Sequence, residues 1–237
     1  IVTRDTSSMK YFALSLLRDV MAFHLHDKDP EALVDVDLKR LAYVKANHIS
    51  TLKDTLYLRA LEQLEQKVGA HAISTRVTYQ RAYLISTSAY KPLVSEDHKW
   101  DLKKAFAICE SAKQRFKDSD GAIQCENLQE DILTKSLNAE IEETNVPGQV
   151  FRCLVHYKNF TALHYRIVKT SREEIRAQRK KWERDYNVDR EQKFLEYFLT
   201  KAPQKTGKFL LPDDGDYQQH SIEVKLDALP EGEYMVL

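Results

Sequence analysis

The sequence predicts an α+β chain of two domains: an all-α helical array over residues 1–135, then an antiparallel β-sandwich over residues 136–237. Three observations carry this. Apolar residues recur every three or four positions before residue 136 and every second position after it, the periods of helix and strand. Four of the six glycines and four of the six prolines fall after residue 136, where frequent turns need them. One stretch, at about 171–201, returns to a charged helical pattern, which predicts a helical insertion too long for an ordinary loop.

The first helix is expected from about Thr6 to Leu25, with Phe12, Leu16, Val20 and Phe23 as its buried stripe. Asp29-Pro30-Glu31 opens the second, Pro30 suiting a first turn, with Leu33, Leu41 and Val44 on the buried side. The third runs from about Lys53 to Val68 with Leu56, Ala60, Leu61, Leu64 and Val68 inward, and Gly69 as its C-cap. The fourth covers about His71 to Ala89. Arg81 interrupts its line Ile73, Val77, Leu84, which predicts a shift of the apolar face toward Tyr83 and Ile85. The fifth places Ala105, Ile108, Cys109, Ala112 and Phe116 on one stripe, where small residues permit close approach. The sixth turns Ala122, Cys125, Leu128 and Ile132 inward. The small-residue spacing of the fifth helix resembles a tetratricopeptide helix, so the array reads as tetratricopeptide-like hairpins. An irregular bundle is the competing reading.

In the second half, Leu137, Ala139 and Ile141 form the inner row of a first strand. Phe151, Cys153, Val155 and Tyr157 face inward from a second, with Arg152 and His156 outward. Leu163, Tyr165 and Ile167 repeat the pattern after a turn at Lys158-Asn159-Phe160, which predicts a hairpin. The insertion follows. Its basic residues Arg176, Arg179, Lys180, Lys181 and Arg184 are interleaved with Glu173, Glu174, Glu183 and Asp185, as on a solvated face. Phe194, Leu195, Phe198 and Leu199 form its apolar stripe, and Trp182 is expected to pack it on the sheet. Three strands close the domain, around Lys205–Pro212, His220–Leu226 and Glu231–Leu237; the middle one turns Ile222, Val224 and Leu226 inward.

Composition narrows the function. Lys+Arg 36 against Asp+Glu 36 leaves no excess of basic charge for a nucleic-acid face. No apolar run approaches the ~20 residues of a membrane span. Cys109, Cys125 and Cys153 are an odd count without a CxxC pair, which argues against zinc and against a disulfide framework. Cys109 and Cys125 lie on consecutive helices and would bridge only in an oxidising compartment. On a helix the ring nitrogens of His24 and His26 diverge, so they form no metal site. Asp213, Asp214 and Asp216 lack the ligand spacing of a calcium loop and read as a turn. His220 and Ser221 are neighbours in a strand and point to opposite faces. No residue is assigned a catalytic, cofactor-binding or metal-binding role: the chain is read as not an enzyme, with no cofactor. It begins at Ile1 and ends within a strand pattern at Leu237, so it reads as part of a larger protein.

Several segments together carry a family resemblance. FRCLVHYKNFTALHYRIVKTSREE (Phe151–Glu174), the charged insert, KFLLPDDGDYQQHSIEVKLDALPEGEYMVL (Lys208–Leu237) and the upstream HKWDLKKAFAICESAKQRF (His98–Phe116) resemble the N-terminal region of large α2-macroglobulin-like proteins of Bacteroidetes. The resemblance implies a macroglobulin or fibronectin-III-like sandwich. It implies a non-catalytic scaffold within an exported protein of the periplasm or cell envelope, lipid-anchored outside these residues, whose full-length form is a protease trap and endopeptidase inhibitor. The partners implied are downstream domains of the same chain and, through the whole protein, target proteases, with no nucleic acid. The family's thioester lies in a CxEQ context; Cys125-Glu126-Asn127-Leu128-Gln129 lacks that offset, so no functional residue carries over. The alternative is a protein-interaction module whose helical array binds a peptide or partner protein.

Overall fold

A hydroxyl side chain starts the first helix. In the computed structural model, which describes residues 7–88, 90, 95–181 and 189–237, Ser8 accepts from the Lys10 N–H at the head of α1 (Met9–His24). There follow α2 (Glu31–Asn47), entered through Pro30, α3 (Lys53–Val68), α4 (Ser74–Ser86), α5 (Asp101–Arg115) and α6 (Asp120–Leu133). The β half holds β1 (Ser136–Ile141), β2 (Phe151–Lys158), β3 (Ala162–Thr170), α7 (Arg172–Lys181), α8 (Arg190–Thr200), β4 (Lys205–Leu210), β5 (His220–Leu226) and β6 (Glu233–Val236). The chain is thus α+β, helices first and antiparallel strands second, as its periodicity predicts. It divides into two compact units, one of Ile1–Thr134 with Asp216–Gln218, the other of Lys135–Gly215 with Gln219–Leu237.

The helical unit has two cores of different texture. Val34, Leu41, Tyr57, Leu61, Leu64, Val68, Ile73 and Val77 form the first, from α2, α3 and the start of α4. The second joins α4, α5 and α6 through small side chains, Ala82, Ala105, Cys109, Ala112 and Cys125, with Leu128 and Ile132 at its end. Gly121, in the first turn of α6, is what lets two backbones touch. A Cβ there would lie 2.2 Å from the Arg76 nitrogen and the Thr75 carbonyl carbon. Beside this contact the hydroxyls of Thr75 and Ser119, the N-cap of α6, are 2.8 Å apart.

Several helical expectations need correction. The stripe of α1 is not buried: Phe12, Leu16 and Phe23 are 54%, 65% and 78% exposed, and Val20 is only half-buried. Amphipathicity marks a face that gains from cover but does not supply the cover. On α2 the buried line is Val34, Leu38 and Leu41, and Val44 is exposed. On α4 the apolar face does reach Ile85, which packs against the second core, but not Tyr83, which is exposed. Arg81 keeps its place in the line because a carboxylate meets it there: its Nη1 is 3.2 Å from Glu65 Oε2. Leu56 is likewise exposed, and Tyr57 takes its place in the core. Gly69 does follow α3, but with φ −56°, so the left-handed freedom of glycine is not used there.

In the β unit the strands form two three-stranded sheets, ordered β1-β2-β5 and β4-β3-β6, antiparallel throughout. Cys153, Val155, Tyr157, Val224 and Leu226 of the first sheet share one core with Leu163, Tyr165, Phe209 and Val236 of the second. The predicted phases of β2 and β5 therefore hold. The predicted hairpin of β2 and β3 does not. The turn at Asn159, with φ +57°, carries the chain from one sheet to the other, so the two strands never pair. Strand alternation reports which face is buried, not which neighbour is bonded. On β1 the expected inner row is in phase but uncovered: Leu137, Ala139 and Ile141 stand opposite Tyr157, Val155 and Cys153, yet only Ile141 is partly buried.

The insertion forms two helices and lies on the outer face of the second sheet. Phe194 and Phe198 are buried against Val168, with Ile175, Tyr197 and Met235 around them. Leu195 and Leu199, expected in the same stripe, face outward. Trp182, Glu183, Arg184 and Asp185 lie outside the described residues. The insertion is fastened by Glu174, which accepts from Lys201 Nζ at 2.7 Å, Tyr197 Oη at 2.8 Å and Thr170 Oγ1 at 2.8 Å. These hydrogen bonds, Lys201 first, hold its carboxyl down to about 2.

Candidate functional site

His24 Nδ1 sits 2.7 Å from Asp27 Oδ2 at the end of α1, and His26 is exposed. No group of three or more His, Cys, Asp or Glu able to hold a metal ion occurs among the described residues. The acidic cluster after β4 is a turn. Asp213 accepts from the Gly215 N–H and Asp216 from the Gln218 N–H, each at 2.9 Å, with φ +67° at Gly215. All three cysteines are free and buried. Cys109 and Cys125 do face each other: their hydrogen bond and their burial raise the Cys109 thiol pKa. Burial raises Cys153 as well, the state expected of a slow thiol. On α7 the basic residues stay at the surface, and Arg179 lies over the Phe194 ring, 4.9 Å from its centroid.

The pairing of β2 with β5 creates a row that sequence spacing does not reveal. His156 stands opposite Ser221 and its Nδ1 is 2.6 Å from the Ser221 hydroxyl; its Nε2 is 3.6 Å from Glu140 Oε1 on β1. Carboxylate, imidazole and hydroxyl are thus in line across the outer face of one sheet. One hydrogen bond joins Ser221 and His156 in this row. The row sits on an open sheet face, where the strand amides are spent on the ladder rather than aimed at a developing oxyanion. The sequence did give His156 as outward-facing, and His220 and Ser221 as divergent. It could not give the register that joins strands 65 residues apart.

One end of the β unit carries a cavity of about 480 Å³ between the β1–β2 loop, the β5–β6 loop and the start of α7. The Gly148 N–H donates to the Leu229 carbonyl at 2.8 Å and ties the two loops. Ile141, Phe151, Ile175 and Val236 give an apolar floor, and Glu142 and Glu143 stand on the rim. Glu233 is already committed: one oxygen accepts from the Arg172 N–H at 2.7 Å, the other is 3.3 Å from Arg172 Nε. It therefore occupies the positive end of α7 itself. The remaining chemistry, apolar below and acidic above, suits a cationic side chain with an aliphatic stem.

The helical unit has a smaller cleft of about 330 Å³ among α2, α3 and α4, where Lys45 and Lys53 stand beside Tyr57, Tyr83, Gln80 and Leu84. Lys45 Nζ lies 5.0 Å from the centre of the Tyr57 ring. No helix among the described residues is long and apolar enough to cross a membrane. Comparison with protein-family models, with curated proteins and with solved structures finds no match for the chain.

Proposed function

We propose that this chain is a non-catalytic scaffold segment of a larger, exported α2-macroglobulin-like protein, with the β unit as a macroglobulin-type sandwich and the helices as a tetratricopeptide-like array before it. The observation that carries the reading is a coincidence of place. The segments Phe151–Glu174 and Lys208–Leu237, which resemble the family, hold β2, β3, β5, β6 and the end of β4, most of the two facing antiparallel sheets, and the charged insert between them is the helical pair on the outer face. In this reading the whole protein traps proteases at the cell envelope, and the present residues brace it without touching substrate.

The test has two arms. The 237-residue chain, incubated with a broad-specificity protease, is expected to leave cleavage of large and small substrates unchanged. The longer natural protein is expected to shield the protease from large substrates while leaving small ones accessible. Stoichiometric inhibition by the 237-residue chain would overturn the scaffold role, and absence of shielding by the longer protein would overturn the macroglobulin reading.

A second reading, a peptide-binding helical module, is favoured by the cleft of Lys45, Lys53, Tyr57 and Tyr83. Aromatic faces beside ammonium groups suit an acidic peptide with aliphatic or aromatic anchors. Titration with acidic peptide pools, read on the parent and on Lys53→Glu, separates this reading from the first.

A further inference from the structure

β1 is the outer strand of its sheet, and Ser136 through Glu140 are all exposed. Its inner row points to the core side without cover, and Leu137 is 45% exposed. The other outer strands carry the usual protections against edge pairing. Lys205 and Lys208 lie on β4, Glu223 and Lys225 on β5, and β6 is only four residues long. Within β1 the single charge is Glu140.

The sequence around β1 is its own complement when read antiparallel. A two-fold axis through Ala139, perpendicular to the sheet, sets Leu137 against Ile141 and Asn138 against Glu140 within the strand, and beyond its ends brings Ser136 toward Glu142 and Lys135 toward Glu143 at the bend that follows β1. Apolar meets apolar on the core side, an amide and a hydroxyl meet carboxylates on the outer side, and an ammonium meets a carboxylate at each end. The neighbouring registers that keep the faces matched do worse. Centring on Glu140 places two carboxylates directly opposite and sets Leu137 against Glu143. Centring on Asn138 sets Ile141 against Lys135 and loses the charge pair. Directly opposed residues are the unit of sheet stabilisation, so one register is selected.

We propose that β1 pairs with β1 of a second copy of this chain, joining two sheets into a continuous six-stranded one. The interface is isologous: each cross-strand pair away from the axis occurs twice. A single strand edge covers far less than the roughly 800 Å² per partner of a tight complex, so the dimer is weak and depends on concentration. Its formation covers the row of Leu137 and Ala139 and fills the edge hydrogen bonds.

Sedimentation velocity of the intact chain, from micromolar to several hundred micromolar at low salt, is expected to show a reversible monomer–dimer equilibrium. Lys135→Glu and Glu143→Lys each create two like-charge contacts and are each expected to weaken association roughly tenfold. The double swap is expected to restore it. Ala139→Lys, which puts two ammonium groups on the axis, is expected to abolish it. Circular dichroism controls for folding, and Glu143→Lys lies outside the strand, so it remains informative if a variant within β1 misfolds. A monomer at every concentration would overturn the proposal. So would a dimer indifferent to these substitutions, which would point to another surface such as the apolar row of α1, or single swaps that the double swap fails to rescue.

Discussion

Replacing Gly121 with alanine tests the close contact on which the second helical core depends. Alanine should favour α6 by about 1 kcal/mol through helix propensity alone. The structure predicts the opposite sign. The added Cβ would meet the Arg76 nitrogen and Thr75 carbonyl carbon at 2.2 Å and the Thr75 oxygen at 2.5 Å. These are backbone atoms in the first turn of α4, held by N–H bonds from Thr75 to Ala72 and Arg76 to Ile73, so no side chain can swing aside. The start of α6 must retreat by over an ångström. That separates Ser119 from Thr75 and loosens Cys125 against Cys109 and Ala82. Overpacking costs of about 1–3 kcal/mol apply where side chains can adjust, so with rigid backbone on both sides a net loss near 3 kcal/mol is expected. That corresponds to a fall in Tm of roughly 8 °C for a chain of this length. Urea and thermal unfolding followed by far-ultraviolet circular dichroism would measure it. Gly148→Ala is the control: φ there is +74° with nothing within 4 Å of the new Cβ, so only the backbone penalty of about 1 kcal/mol applies. A Gly121→Ala protein as stable as the parent would refute the argument that the α4 and α6 backbones are in contact.

Glu65 offers a second test in the same unit. Its Oε1 accepts from Thr78 Oγ1 at 2.6 Å and Arg115 Nη2 at 2.9 Å while Arg81 approaches Oε2, so Glu65→Ala strands two guanidinium groups and should cost about 2 kcal/mol, discounted for their partial exposure, with urea unfolding as the readout. Cys153 should react with a thiol reagent far more slowly in native than in unfolded protein, and Cys153→Asp, burying an unpaired carboxyl between the sheets, should cost several kcal/mol. Glu174 gives a pH signature. Its folded value, about 2, lies below the ordinary 4.5, so its stabilisation is complete above pH 4.5 and disappears as pH falls toward 2. With a quarter of the ion pair exposed, the difference between parent and Glu174→Gln should be about 1 kcal/mol at neutral pH and vanish in acid; a difference that persists at pH 2 would contradict the assignment.

How far the sequence could be read follows from what each signal measures. Period distinguishes helix from strand, so the six N-terminal helices, the switch at residue 136, the helical insertion and the phases of β2 and β5 were all legible. Period does not report partners. The stripe of α1 reads like a buried one, and whether a second surface exists to bury it is a property of the fold. The hairpin expected from β2 and β3 failed for the same reason: the turn at Asn159 redirects the chain between sheets, and local sequence holds no record of that choice. Arg81 failed through a compensation out of register, since its partner Glu65 lies on a different helix. The row of Glu140, His156 and Ser221 draws on three strands, and only the register aligns it.

The helical unit also explains why a buried ion network sits where it does. In its first core, large side chains such as Leu61, Leu64 and Tyr57 fill the space between helices, and burial of apolar area supplies the attraction. In the second, alanines and cysteines bring α4, α5 and α6 close, but each buries little area, so the gain comes from dense backbone contact. Such a seam tolerates neither larger side chains nor sliding. Glu65 on α3, Thr78 and Arg81 on α4, and Arg115 on α5 span the boundary between the two cores. Directional hydrogen bonds fix the rotation of α4 about its axis, and that rotation is what presents Ala82 to one neighbour and Val77 to the other. Apolar packing alone would leave a helix faced with large residues on one side and small ones on the other free to turn by part of a residue step. The charged network removes that freedom, and this is why an arginine can occupy the middle of an otherwise apolar line.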